Sequence, residues 1–278
     1  MNAHPVRGQP RGGGLDLLRA RVTFRDRSVS DVLDLALRFL VVEGRSYAAV
    51  ALGSLAPLLA ISLAAGWKLG WAAAWAVAIP LAAIAEVPFT VLASRLVFQD
   101  RVSARDVLAS ARRDGPRVVL ARLLAAALVA IGMSLFVVPG VWLASIYLFL
   151  SEVMLLERAS IGQAFGRALR VASSAASEVI VGVLVLVLVS VGSVLLADIA
   201  GRAVLGELLQ FRPPRPVWTE GGSVLAMIGL FAAVPYLATA RFFLYLNIRT
   251  RAEGWDIQTR FAAIAARADE EAKASEAA

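Results

Sequence analysis

The chain contains no cysteine and a single histidine, His4. The first absence excludes disulfides, thiolate metal sites and cysteine nucleophiles. The second removes the commonest general base and metal ligand from everything beyond the first few residues. Charge is scarce as well. Asp, Glu, Lys and Arg make up 18% of the 278 residues, against roughly a quarter in a soluble domain. The excess of 28 basic over 21 acidic residues gives a net charge of +7, but the arginines flank apolar blocks with little interleaving of aromatics. That is not the footprint of a nucleic-acid surface. The glycines at 12–14 lack the Lys-Ser/Thr ending of a phosphate loop.

What the chain has instead is apolar length. Hydrophobic residues make up 59% of it, and the mean hydropathy is +0.72. A helix that crosses a bilayer needs about 20 apolar residues. Ser46 to Trp67, Trp71 to Ser94, Val179 to Ala197 and Gly221 to Ile248 each supply such a block. Val118 to Glu152 is longer and carries Pro139-Gly140 near its middle, so it reads as two further arms. Each of these arms is short for a span, and a re-entrant hairpin is the alternative. The expected fold is an all-α membrane protein with about six transmembrane helices in three hairpins.

The basic residues set the orientation. Eight precede the first block, six lie between the second and third with Arg122 at the edge of the third, three lie between the fourth and fifth, and five follow the sixth, together 23 of 28. The positive-inside rule then places both termini in the cytoplasm, and the expected location is a bacterial cytoplasmic membrane. Residues 1–23, rich in Gly, Pro and Arg, are expected to be a disordered basic leader. No apolar core follows their charges, so they do not read as a secretory signal. Residues 24–261 form the multi-pass domain and residues 262–278 a polar, Ala-rich tail. Between the fifth and sixth blocks, the first half of Asp198 to Gly222 reads as a short surface helix, and Arg212-Pro-Pro-Arg-Pro216 as extended chain.

A pattern repeats on the cytoplasmic side. Ser28, Asp31, Val32, Leu33, Ala36 and Arg38 match Ser103, Asp106, Val107, Leu108, Ala111 and Arg113, and again Ser160, Gln163, Ala164, Phe165, Ala168 and Arg170. A serine followed three residues later by an acid or amide is the signature of a capping box. The apolar spacing that follows suits a helix lying in the membrane interface. Each hairpin is thus expected to be preceded by a cytoplasmic amphipathic interfacial helix, over 28–43, 103–113 and 160–172. The repeating units run over about 24–98, 99–156 and 157–250.

Three of these stretches also carry a resemblance. They are Phe24 to Arg38; Val138-Pro-Gly-Val-Trp-Leu143 with Leu155 to Arg170; and Tyr245-Leu-Asn-Ile-Arg-Thr-Arg-Ala-Glu-Gly-Trp-Asp256. They are similar to bacterial integral membrane proteins related to the membrane domain of glycerophosphoryl diester phosphodiesterases. The resemblance covers residues 24–261 and implies a multi-helix membrane module. The soluble catalytic domain of that family, with its histidines and metal carboxylates, has no counterpart here, and the resemblance does not carry its activity across.

Two charges stand inside apolar blocks. Glu86 lies six residues after Pro80, Arg241 six after Pro235, and the equivalent middle position, six after Pro139, is Ser145. Equivalent positions in repeats sit at similar depth, so Glu86 and Arg241 are expected to form an intramembrane ion pair. The competing reading has Arg241 snorkelling to the interface. Glu43, Glu152, Glu157, Glu178 and Asp198 lie near block ends and read as solvated or headgroup-level charges, with Glu157 acting electrostatically at a helix start. Trp142, Tyr147, Trp218, Tyr236 and Trp255 read as interfacial anchors. Arg249, Arg251, Glu253 and Asp256 form a juxtamembrane cluster suited to anionic lipid or to a docked cytoplasmic protein. No Ser/His/Asp set, carboxylate pair, metal constellation or cofactor motif is present, so no enzymatic activity and no cofactor are expected. The sequence favours a non-catalytic scaffold or accessory subunit. The alternative is a transporter-like protein moving a small or lipidic substrate, which internal repeats, mid-span prolines and buried charge also suit.

Overall fold

The computed structural model describes residues 28–99 and 102–252. The expected leader and tail, and Glu253, Trp255 and Asp256, lie outside the described residues. Among those residues every regular element is helical. In chain order they are α1 Val29–Val42, α2 Gly44–Leu69, α3 Trp71–Leu96, α4 Ala104–Leu135, α5 Val137–Ile146, α6 Leu150–Leu156, α7 Ile161–Ser174, α8 Ala176–Ala203, α9 Val217–Glu220 and α10 Val224–Ala252. Six segments are long and apolar enough to cross a membrane: α2, α3, α4, α5 with α6, α8 extended by a π-helical turn, and α10. This is a multi-pass helical membrane protein.

The helix ends follow local chemistry. α1 opens on a reciprocal capping box, in which the Asp31 amide donates to Ser28 Oγ (3.2 Å) and the Ser28 amide to Asp31 Oδ2 (3.4 Å). At α7 the Ser160 amide donates to Gln163 Oε1 (3.3 Å). α2 and α3 are joined by the single residue Gly70, whose φ of +90° is open to glycine and strained for other residues. α4 ends at Leu135, with Phe136 as its C-cap, and not at Pro139. Pro139 falls instead in the first turn of α5, where its missing N–H has no partner to lose.

α10 is the axis of the bundle. In its most apolar stretch 61% of the residues are buried, against 17% for α2 and 22% for α4 and α8, so the latter three are peripheral. One apolar cluster joins the C-terminal half of α10 to α1, α4, α6 and α7, around Phe149, Phe242 and Tyr245. A second joins its N-terminal half to α2 and α3, around Phe89, Leu92 and Met227. α1 lies along α10 through Phe39, whose ring meets that of Phe243 edge-on at 5.2 Å.

The elements differ from the sequence reading in three places. The second expected interfacial helix is no separate element: α4 runs unbroken from Ala104 to Leu135 through Pro116, and Ser103 makes no side-chain cap. Pro116 is exposed, so the carbonyl displaced by its ring has open space beside it. The fourth apolar arm is broken, because Tyr147–Phe149 form a turn between α5 and α6. The fifth helix continues well beyond Ala197, through Asp198 to Leu208, so the expected short surface helix is its extension. Residues 210–216 follow without regular structure, and α9 closes the loop.

That loop folds back over the start of α3 and α10. The Trp75 indole donates to the Gly221 carbonyl (2.8 Å) and the Trp71 indole to Glu220 (3.4 Å). Asp198 is fully buried. It accepts from the Ser223 hydroxyl and from the Val217 amide (3.2 Å), while Ser223 Oγ in turn accepts from the Ala226 amide. The headgroup-level reading of Asp198 is therefore corrected: it stitches α8 to the start of α10.

Candidate functional site

The centre of the bundle holds four charged side chains from four helices. Glu86 comes from α3, Arg122 from α4, Glu152 from α6 and Arg241 from α10. Arg241 Nη1 lies 2.5 Å from Glu86 Oε2, and its Nε lies 2.7 Å from Glu152 Oε1. Arg122 Nη1 lies 2.6 Å from the same Glu86 oxygen and also donates to the Ala83 carbonyl (2.7 Å). The order is Arg122–Glu86–Arg241–Glu152, alternating in sign and summing to zero. Glu152 is 0% exposed, Arg241 7%, Glu86 13% and Arg122 22%, counting side chains alone. Arg122 is thus the member that reaches the protein surface.

Three of the four sit at comparable depth in the bundle. At 1.5 Å per residue, Arg122 lies about 20 Å along its helix from the Phe136 tip, Glu86 about 22 Å from Trp71, and Arg241 about 26 Å from Val224. A lone charge at that depth is costly, about 3 kcal/mol on insertion scales. Here each is met by opposite charge within hydrogen-bonding distance, which is the condition for keeping ions in a low-dielectric interior.

The sequence reading is corrected at several members. For Arg241 it is the competing snorkelling reading that falls away, since two carboxylates hold it. Glu152 is no headgroup-level charge but the most buried of the four. Arg122 counts in the sequence among flanking basic residues, yet the unbroken α4 carries it into the bundle. Ser145, the symmetry-equivalent of Glu86 and Arg241, donates to the Val141 carbonyl (2.8 Å) and lines a small crevice with α7 and α8. It stands apart from the network. The turn at Tyr147–Phe149 re-aims the chain, so that the middle hairpin contributes Glu152 instead.

A second polar node lies nearer the end where α10 terminates. Glu157 receives the Tyr245 hydroxyl (2.6 Å), pairs with Arg249 (3.0 Å) and pairs with Arg167. It ties α6, α7 and α10 together, a larger role than helix-start electrostatics. Arg251 makes a two-point pair with Glu178 of α8. Both arginines of the expected docking cluster are therefore engaged by acids of their own chain. Among the expected anchors, Trp142 and Trp218 are exposed, whereas Tyr147 packs on Phe165 at 5.0 Å and the Tyr236 hydroxyl reaches the Leu33 carbonyl (3.4 Å).

No family model, no curated protein and no solved structure matches this chain. The site is therefore read from its own chemistry. Among the described residues no three of His, Asp and Glu come together to hold a metal ion. A crevice of about 340 Å³ between α3, α4 and the broken α5–α6 arm reaches the network. Its walls include Ile84, Leu123 and Ala126, and both Arg122 and Arg241 border it. Arg241 Nη2 and Glu152 Oε2 are buried without a hydrogen-bond partner.

Proposed function

We propose that the protein is a non-catalytic scaffold or accessory subunit of a bacterial cytoplasmic membrane, built to hold a fixed helical platform. The observation that carries this reading is the balanced network. Four charges on four helices neutralise one another, so their charge is balanced within the bundle and joins α3, α4, α6 and α10. The similarity to the membrane module of glycerophosphoryl diester phosphodiesterases belongs to the same reading. So do the three hairpins as repeats, and α1 and α7 as interfacial helices on anionic lipid. α1 supports its placement with Leu37, Val41 and Val42 exposed on one side, a face suited to acyl chains.

Such a platform works through its peripheral helices, and α2 and α8 offer apolar side chains there, including Leu52 and Leu188. A photo-crosslinking residue at each of these two positions, activated in native membranes, should yield a discrete protein adduct of constant stoichiometry from at least one. Lipid adducts alone at both positions would remove the scaffold reading.

Both termini are placed in the cytoplasm. The absence of cysteine makes single-cysteine labelling free of background. Cysteines at Lys68, Val138 and Pro214 should react with an impermeant maleimide from outside, and those at Arg112 and Arg170 only after permeabilisation. Protection at Val138 alone would make the middle hairpin re-entrant, for which its tip, with Phe136, Val137 and Val138 all exposed, is apolar enough.

One observation favours the transporter-like reading. The crevice beside Arg241 is bordered by exposed apolar side chains, Ile79 and Leu123, and meets a broken helix, a feature transporters place at substrate sites. Flux of an amphiphile into proteoliposomes that is lost in Arg122→Gln would support it over the scaffold.

A further inference from the structure

The largest cavity described lies outside the network. It has a volume of about 510 Å³ and sits between the end of α3, the first half of α4 and the link from α6 to α7. Four arginines border it, Arg95, Arg113, Arg117 and Arg158, with Asp114 the only acid among the described residues of its lining. Arg95 donates to Ser110 at the cavity wall, which fixes its guanidinium while leaving its charge unneutralised. Arg113 and Asp114 approach at 3.7 Å, a loose contact between sequence neighbours. For Arg117 and Arg158 no ion pair is present among the described residues. The cavity therefore holds an excess of three positive charges in a concave space, above a floor of Val91, Val118 and Met154 that is buried and apolar.

The backbone adds an independent sign. Arg158 has φ +53°, the left-handed region that arginine rarely occupies. It follows the C-cap of α6, where glycine is the residue that fits without strain. Strain kept at a residue whose side chain borders a cavity is a mark of function. Several arginines bordering one space suit the oxygens of a phosphate better than any other common ligand chemistry. The volume is that of a small-molecule site.

We propose that this cavity binds a phosphate-bearing ligand, with Arg117 and Arg158 as its principal contacts and Arg95 as a preset third. The phosphate comes either from the headgroup of an anionic phospholipid or from a soluble phosphate ester. The apolar floor suits the glycerol and first acyl carbons of the former.

The test uses the full chain purified in neutral detergent and measures thermal unfolding against two probes, inorganic phosphate and dihexanoyl phosphatidic acid. Either probe should raise the unfolding temperature in a saturable way. Arg117→Gln and Arg158→Gln should each weaken the apparent affinity at least tenfold. The paired substitution Arg212→Gln with Arg215→Gln removes the same kind of charge at the far end of the molecule and should leave affinity unchanged. Arg158→Gly should separate the two roles of that residue: without ligand it unfolds at a higher temperature than the native chain, yet it binds less tightly. Protection by inorganic phosphate assigns a soluble source, and protection by the lipid alone assigns a headgroup. No protection by either probe overturns the proposal. So does an equal loss of affinity in the Arg212/Arg215 variant, because binding would then follow net charge.

Discussion

Arg241→Gln should destabilise the protein by about 3–5 kcal/mol, the range for breaking a buried ion pair from one side. The substitution leaves Glu86 paired with Arg122 at 2.6 Å but strips Glu152, fully buried, of its only ionic partner among the described residues. The second substitution that rescues the variant is therefore specific. Glu152→Gln added to Arg241→Gln leaves one neutral, intact Arg122–Glu86 pair and should recover most of the loss. Glu86→Gln added to Arg241→Gln leaves Glu152 stranded and should recover little. Arg122→Gln alone should be the mildest of the four single substitutions. Arg122 is the most exposed member, and Glu86 keeps Arg241 when it is lost. Thermal unfolding in detergent, measured on all four singles and the two doubles, checks the ranking. Strictly additive effects, or equal rescue by Glu86→Gln and Glu152→Gln, would reject the four-membered arrangement in favour of independent charges.

The same four residues show what the sequence could and could not say. Glu86 and Arg241 each interrupt an apolar block with several apolar residues on either side, so both stand out as charges needing a partner, and equal offsets from Pro80 and Pro235 suggest a common depth. Glu152 and Arg122 carry no such signal. Each lies at the edge of the same apolar stretch, where charge normally means headgroup or water. Their inward position depends on two backbone features that the residue pattern leaves open: the continuity of α4 through Gly115-Pro116, and the break at Tyr147–Phe149. A proline after a glycine reads as a helix stop, yet on an exposed face of a long helix it is tolerated. The break at Tyr147–Phe149 has neither glycine nor proline and so has no local marker at all. Asp198 was hidden for a related reason. Its partners, Ser223 and the Val217 amide, come from beyond a proline-rich loop, and only tertiary folding brings them together.

The existence of six apolar segments, by contrast, is legible, because a bilayer demands apolar length whatever the packing, although α4 begins well before Val118 and α8 runs well past Ala197. How closely those segments approach one another is decided by single small residues, and the second large effect lies at one of them. Gly229→Leu should prevent α8 and α10 from packing, and Gly229→Ala should destabilise the protein by about 1–3 kcal/mol, the usual range for overpacking. A Cβ placed on Gly229 would stand 2.4 Å from the Ser193 carbonyl oxygen and 2.7 Å from the Ala197 Cβ, where carbon contacts normally begin at about 3.5 Å. The obstructing oxygen belongs to the α8 backbone, so no side-chain rotation relieves the clash and the whole helix must retreat. Retreat of α8 also draws Asp198, one residue beyond Ala197, away from Ser223 and the Val217 amide, so the loss extends to the stitch at the start of α10. Gly192 of α8 provides the control. A Cβ there meets nothing within 4 Å, and Gly192→Ala should be neutral or slightly stabilising, since alanine favours helix over glycine by up to about 1 kcal/mol. Unfolding temperatures of Gly229→Ala, Gly192→Ala and Ala197→Gly with Gly229→Ala test the contact. The third variant should recover only part of the loss, because the Ser193 carbonyl remains in place. Equal behaviour of the two single glycine substitutions would mean that α8 and α10 do not meet at this position.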